Sequence, residues 1–182
     1  MFIPIEETPN KNTLKFIIDN DVLAGAAPFT VTKNEVDSSE NSHFLRDLFS
    51  IDGLKEVFFG QNFISVTKEE NVHWNKLKLP IVAVLADYKE QNTPLIRKHI
   101  KQLEIADTEL ISQIKEVLES KVRPAVAQDG GDITFHSYDG GVVYLEMHGA
   151  CSGCPSATLT LKDGVENLLK YYIPEVVRVE SI

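Results

Sequence analysis

Apolar and polar positions along this chain form two stretches of different rhythm, separated by a polar interval. In the first stretch, Thr13 to Ile18 and Asn62 to Thr67 carry β-branched and aromatic residues in short runs, and Gly53 and Gly60 bracket Leu54 to Phe59 as a third run of that kind. Such runs predict strands, and the segment from Phe58 to Phe63 predicts the hairpin turn between two of them. Behind Ser42, the residues Phe44, Leu45, Leu48 and Phe49 recur three and four positions apart, which predicts a short amphipathic helix. Asn71 is a candidate N-cap for a second helix from Val72 to about Asp87. Pro80 falls inside it, and since proline has no N–H to bond the preceding turn, a kink or a fresh start is expected there.

The interval from Asp87 to Asp107 is polar at Lys89-Glu90-Gln91-Asn92-Thr93-Pro94 and basic at Arg97, Lys98 and Lys101. It reads as a linker with some helical content, and its basic cluster as a solvated face rather than a binding patch. Beyond it, Asp107 or Thr108 can cap a helix whose apolar positions Leu110, Ile111, Ile114, Val117, Leu118 and Val122 follow the 3.6-residue period. Arg123-Pro124 should disturb its last turns, and Asp129-Gly130-Gly131 should stop it. Ile133, Phe135, Val143, Leu145 and Met147 then alternate with polar neighbours about Tyr138-Asp139-Gly140-Gly141, a strong hairpin signal. A loop holding Gly149, Cys151, Gly153 and Cys154 leads to a helix beginning at Pro155 and running through Leu159, Val165, Leu168 and Leu169. Pro174 ends that helix, and Val176, Val177 and Val179 predict a last strand. The expectation is an α+β protein of two small domains, residues 1–88 and 107–182, joined by a linker over 89–106, with the C-terminal domain ordered α-β-β-α-β.

Composition narrows the function. With 43% hydrophobic and 25% charged residues in 182, the chain can form packed cores. A net charge of −9 argues against a surface that tracks phosphates, so no nucleic-acid partner is expected, and an acidic face suits protein partners better. No apolar run reaches the roughly 18 residues of a membrane span. The longest, Leu79 to Ala86, is broken by Pro80, and the opening Met-Phe-Ile-Pro-Ile-Glu-Glu lacks the basic and apolar regions of a signal peptide. No membrane is expected, and the expected location is the bacterial cytoplasm, or the mitochondrial matrix for a processed eukaryotic chain. Both cysteines sit in one Cys-x-x-Cys, which leaves no framework of structural disulfides and points to a reducing compartment.

That pair, Cys151-Ser152-Gly153-Cys154-Pro155, is the constellation that demands chemistry. Two thiolates two residues apart can face one metal, because the turn brings their sulfurs together and Gly153 lets the backbone fold round it. Pro155 suits a first helical position, which puts Cys154 at or next to the N-cap, where unpaired N–H groups favour a thiolate. Two sulfurs cannot complete a Cys₄ iron–sulfur site, and pairing two chains supplies the other two. His136 falls among alternating strand residues and His148 lies three before Cys151, and both read as surface or packing histidines. His43, His73 and His99 have no cysteine neighbour. Three readings of the pair stay open at this level: a cluster site, half of a zinc site, and a thiol–disulfide oxidoreductase with Cys151 as nucleophile and Cys154 as resolving thiol. The redox motif belongs after a strand near the start of a βαβ unit, and here the pair follows a hairpin late in the chain.

The run Val122-Arg123-Pro124-Ala125-Val126 with Asp129-Gly130-Gly131-Asp132-Ile133, then Met147-His148-Gly149-Ala150-Cys151-Ser152-Gly153-Cys154-Pro155-Ser156, then Thr160-Leu161-Lys162 and Pro174-Glu175-Val176, closely resembles the NifU-like C-terminal domain of the Nfu family. Thr8-Pro9-Asn10 with Leu14-Lys15-Phe16 resembles the start of the Nfu N-terminal domain, although Lys11 and Ile18-Asp19 depart from its pattern. The resemblance implies a non-enzymatic iron–sulfur cluster scaffold and carrier. It would bind a [4Fe–4S] cluster between two protomers through Cys151 and Cys154, with an upstream assembly scaffold as donor and apo iron–sulfur proteins as acceptors. Within this frame the glycines of Asp129-Gly130-Gly131-Asp132 are expected to turn a helix into a strand ahead of any role in shaping the site. Lys162 is expected to face solvent rather than to screen the cluster's charge.

Overall fold

The structure is a computed structural model, and it describes residues 3–18, 22–23, 28–38, 42–90, 108–152 and 155–182. Five strands come first: β1 (Ile5–Glu7), β2 (Thr13–Ile17), β3 (Phe29–Thr32), β4 (Leu54–Phe59) and β5 (Phe63–Lys68). They form one antiparallel sheet in the order β1-β2-β5-β4-β3. Because successive side chains point to opposite faces, Leu14, Phe16, Val57, Phe59, Ile64 and Val66 gather on one of them. Helices α1 (Ser42–Phe49) and α2 (Trp74–Glu90) bury Leu45, Leu48, Leu77, Ile81 and Leu85 against that face. Each large side chain so buried contributes roughly 1.5–3 kcal/mol of transfer free energy.

Three predicted strands, their hairpin and α1 lie where periodicity put them. The second helix differs. It begins at Trp74, so Asn71 does not cap it, and it runs through Pro80 as one element. The reason is the stripe Leu77, Ile81, Leu85, whose four-residue spacing keeps the helix seated on the sheet, while Pro80 lies on the exposed side and forfeits one backbone bond there. Strands β1 and β3 went unpredicted, being short edge strands with little alternation of their own.

The second half builds a smaller unit. Thr108 caps α3 (Glu109–Val117) by accepting a hydrogen bond from the Ile111 N–H, and Asp107 lies outside the described residues. The helical path then widens over Leu118–Val122, where the Arg123 N–H reaches back five residues to the Leu118 carbonyl, before α4 (Arg123–Gln128). Pro124 is the cause expected from the sequence, since it withdraws an N–H and crowds the preceding turn. Strands β6 (Gly131–Asp139) and β7 (Val142–Gly149) pair across Gly140 and Gly141, both with positive φ (54° and 89°). Then follow α5 (Pro155–Tyr172) and β8 (Arg178–Ser181), which pairs parallel to β7. Val176 and Val177 precede β8 instead of belonging to it; Val176 is buried and Val177 is exposed. The molecule is α+β, and this unit follows the expected α-β-β-α-β order with its first helix divided into α3 and α4. Lys89 and Glu90, assigned by sequence to the linker, are the last residues of α2. The rest of that segment, with Arg97, Lys98, His99 and Lys101, lies outside the described residues.

Candidate metal centre

Cys151 stands just past the end of β7, at a corner that three backbone features create. Gly149 and Gly130 adopt positive φ (62° and 78°), and the Ala150 N–H donates to the Gly130 carbonyl at 3.1 Å. Gly131 pairs with Gly149 across the hairpin. A Cβ on Gly131 would collide with Cys151 Sγ and lie 2.8 Å from the His148 carbonyl. The glycines after Asp129 therefore do more than turn a helix into a strand, because Gly131 leaves the space the sulfur occupies. Asp132 braces the same corner. Arg123 Nε and Nη2 donate to its two carboxylate oxygens, each at 2.7 Å, and tie α4 to β6 in a bidentate pair. That hydrogen bonding raises the Arg123 guanidinium above its usual range.

Cys151 is 7% exposed. Burial pushes its thiol up to about 12, with the carboxylates of Asp129 and Asp132 adding to the shift, so it holds its proton at neutral pH. The activating effect expected of a helix N-terminus concerns Cys154, which lies outside the described residues together with Gly153. Helix α5 does begin at Pro155, the expected first helical position. Beside Cys151 lies a cavity of about 100 Å³ lined by Pro9, Ala125, Val126, Asp129 and Leu161, and it adjoins a larger groove along α4 and α5. Pro9 belongs to the N-terminal unit, and its neighbour Asn10 donates through Nδ2 to the Ser152 carbonyl at 3.2 Å.

The histidines behave as packing and surface residues. His136 is exposed beside Ser137 Oγ, and His43 and His73 are exposed. His148 is partly buried, with Nε2 3.1 Å from Thr134 Oγ1 and its ring stacked on Phe58 at 6.2 Å between centroids. Lys162 does not face solvent alone, for its Nζ pairs with Glu180 Oε2 at 2.8 Å and links α5 to β8. Among the described residues, no three His, Cys, Asp or Glu side chains gather into a group able to hold a metal ion. Sequence reasoning missed Lys15, Phe58 and Ser65, which reach this corner from the N-terminal sheet. Lys15 and Ser65 alternate with apolar neighbours and so read as solvent-facing, while Phe58 lies in an unbroken apolar run that marks neither face.

A sheet-and-helix unit with Cys-x-x-Cys between its hairpin and its long helix, preceded by a five-stranded unit, defines the class. The chain belongs to the Nfu family of iron–sulfur cluster scaffold proteins. Residues 114–180 match the NifU-like domain, and residues 3–92 match the Nfu/NifU scaffold protein N-terminal domain. All of the chain aligns at 41% identity with the Homo sapiens protein named NFU1 iron-sulfur cluster scaffold homolog, mitochondrial, spanning 72% of its length. The Drosophila willistoni protein of the same name is also 41% identical, and the chain spans 64% of it. Among solved structures, the crystal structure of Staphylococcus aureus protein SAV1430 aligns with 47% of this chain and 99% of its own at 35% identity and a TM-score of 0.41.

Proposed function

We propose that this protein is a carrier of a [4Fe–4S] cluster, held between two copies by Cys151 and Cys154 of each and passed to apo iron–sulfur proteins. The observation that carries the reading is the corner itself: a thiol pair between β7 and α5, with Gly131 keeping open the place of the Cys151 sulfur. Family membership supplies the class of cargo. A Cys₄ cluster needs four sulfurs and each chain brings two, so a second copy completes the set. Such a site also suits release, because an acceptor's thiolates can replace the carrier's one at a time. An upstream assembly scaffold loads the protein, which acts as a carrier without turning over a substrate. The compartment we assign is the mitochondrial matrix, the relatives' names calling those proteins mitochondrial, or the bacterial cytoplasm. The oxidoreductase alternative wants its pair after a strand near the start of a βαβ unit, whereas this pair follows the β6–β7 hairpin.

Anaerobic reconstitution with iron and sulfide, followed by metal analysis and sizing, tests the proposal. The expected product is a dimer with about four irons and the visible absorption of a cluster. Cys151→Ser should abolish iron uptake. A loaded single chain, zinc in place of iron, or iron retained without the thiols would overturn it.

A further inference from the structure

Only one face of the N-terminal sheet packs on α1 and α2. On the other, strand register sets Glu6, Lys15, Ser65, Phe58 and Thr30 side by side, one from each of the five strands. From Lys15 to Thr30, every member of this row meets the C-terminal unit at the cysteine corner. Lys15 Nζ donates to the Gln128 carbonyl at 3.3 Å, with Glu6 3.1 Å away to steady it. Ser65 Oγ donates at 2.5 Å to the Gly130 carbonyl, the same acceptor that takes the Ala150 N–H. The Phe58 ring stacks on His148, and Thr30 Oγ1 lies 3.4 Å from His148 Nδ1. The two surfaces are fitted to each other at their glycines. A Cβ on Gly149 would sit 2.9 Å from the Phe58 ring, and one on Gly130 would sit 2.9 Å from Ser65 Oγ.

Ser65 is 0% and Lys15 8% exposed, although both stand on the side of the sheet away from its apolar core. An antiparallel sheet ordinarily gives that side to water, and polar side chains are buried there only when something holds them. Here three side-chain donors, Asn10, Lys15 and Ser65, hold the backbone carbonyls of Ser152, Gln128 and Gly130.

We infer that this cross-strand row is a docking surface whose occupant is the chain's own cysteine corner, and that it competes with the second copy for that corner. The inference rests on the shared-cluster reading. For two chains to hold one inorganic core, the Cys151 sulfur of each must reach it, and a sulfur this deeply covered cannot. Part of that cover is the C-terminal unit's own core, and part is the N-terminal unit, whose Pro9 lines the cavity beside Cys151 and whose Asn10 holds the Ser152 carbonyl. It is this second part that has to lift before the second copy engages.

The test uses the full, iron-free chain carrying Cys154→Ser, so that alkylation reports Cys151 alone. Ser65→Arg, added to this background, has no room against the Gly130 carbonyl and forces the surfaces apart. Labelling should be slow in the parent and about tenfold faster or more with Ser65→Arg, as the open population rises. Equal rates in two folded chains would overturn the inference. If Ser65→Arg does not fold, Asn10→Ala with Lys15→Ala reads the same quantity by removing the two hydrogen bonds that flank it. Iron uptake by the chain with both cysteines is scored separately. A protected thiol in a chain that takes up no iron leaves the cover standing and sinks the cluster reading, whereas iron uptake with an unprotected thiol does the reverse.

Discussion

The two units use their sheets in opposite ways. The N-terminal one has five strands and a ring-rich core in which Phe16, Phe44, Phe49 and Phe59 are all buried. The C-terminal one has three strands, and its described core is built from aliphatic residues such as Ile114, Leu118, Ile133, Leu145 and Leu169. The larger core carries none of the thiol chemistry, and the unit that carries it is the smaller. A short sheet with few layers is marginal alone. The larger unit lends its second face, and its hydrogen bonds to the Gln128, Gly130 and Ser152 carbonyls add support to the corner around Cys151.

Removing a ring from the N-terminal core should break the contrast most visibly. Phe59→Ala deletes a fully buried side chain and should destabilise that unit by about 3–5 kcal/mol. Urea unfolding should then show the N-terminal transition at lower denaturant while the C-terminal one persists, with Cys151 labelled faster before the latter. A single transition for both would mean that the units do not fold as separate cores. The next largest effect belongs to the other side. Arg123→Ala leaves the Asp132 carboxylate buried without its bidentate partner and should cost about 3 kcal/mol in the C-terminal transition. The N-terminal transition should not move. Thr108→Ala, which removes the cap of α3, should cost about 1 kcal/mol in the same transition.

The smallest expected effect lies on the boundary and depends on pH. Burial holds His148 below its ordinary value, with Arg123 adding to the depression and Glu146 and Asp132 opposing it. The folded, docked state thus prefers the neutral ring. Its contribution is complete above about pH 6.5, the free value, and is lost as pH falls through the lower folded value. Urea midpoints should fall between pH 7.5 and 5.5 more steeply for the parent than for His148→Gln. Matching slopes would remove His148 from the boundary's pH response.

Much of this was legible in the chain. The spacing of Phe44, Leu45 and Leu48 announced α1, and the apolar alternation about Gly140-Gly141 announced the β6–β7 hairpin, because each signal lies within one element. Helix α2 was harder, since local chemistry at Pro80 argued for a break and only the packing of Leu77, Ile81 and Leu85 on the sheet overrides it. The extra duty of Gly131 was invisible, because the sulfur it makes room for stands twenty positions along the chain.

By itself the sequence determined the chemical types and their local order: two thiols two residues apart, the glycines around them, a helix starting at Pro155 and a hairpin before it. Tertiary structure decided that Cys151 is covered and protonated, and that residues 6, 15, 65, 58 and 30 become neighbours. The physical reason is that burial and strand register are properties of pairings between distant segments. No window of the chain contains them until the two cores have formed and met.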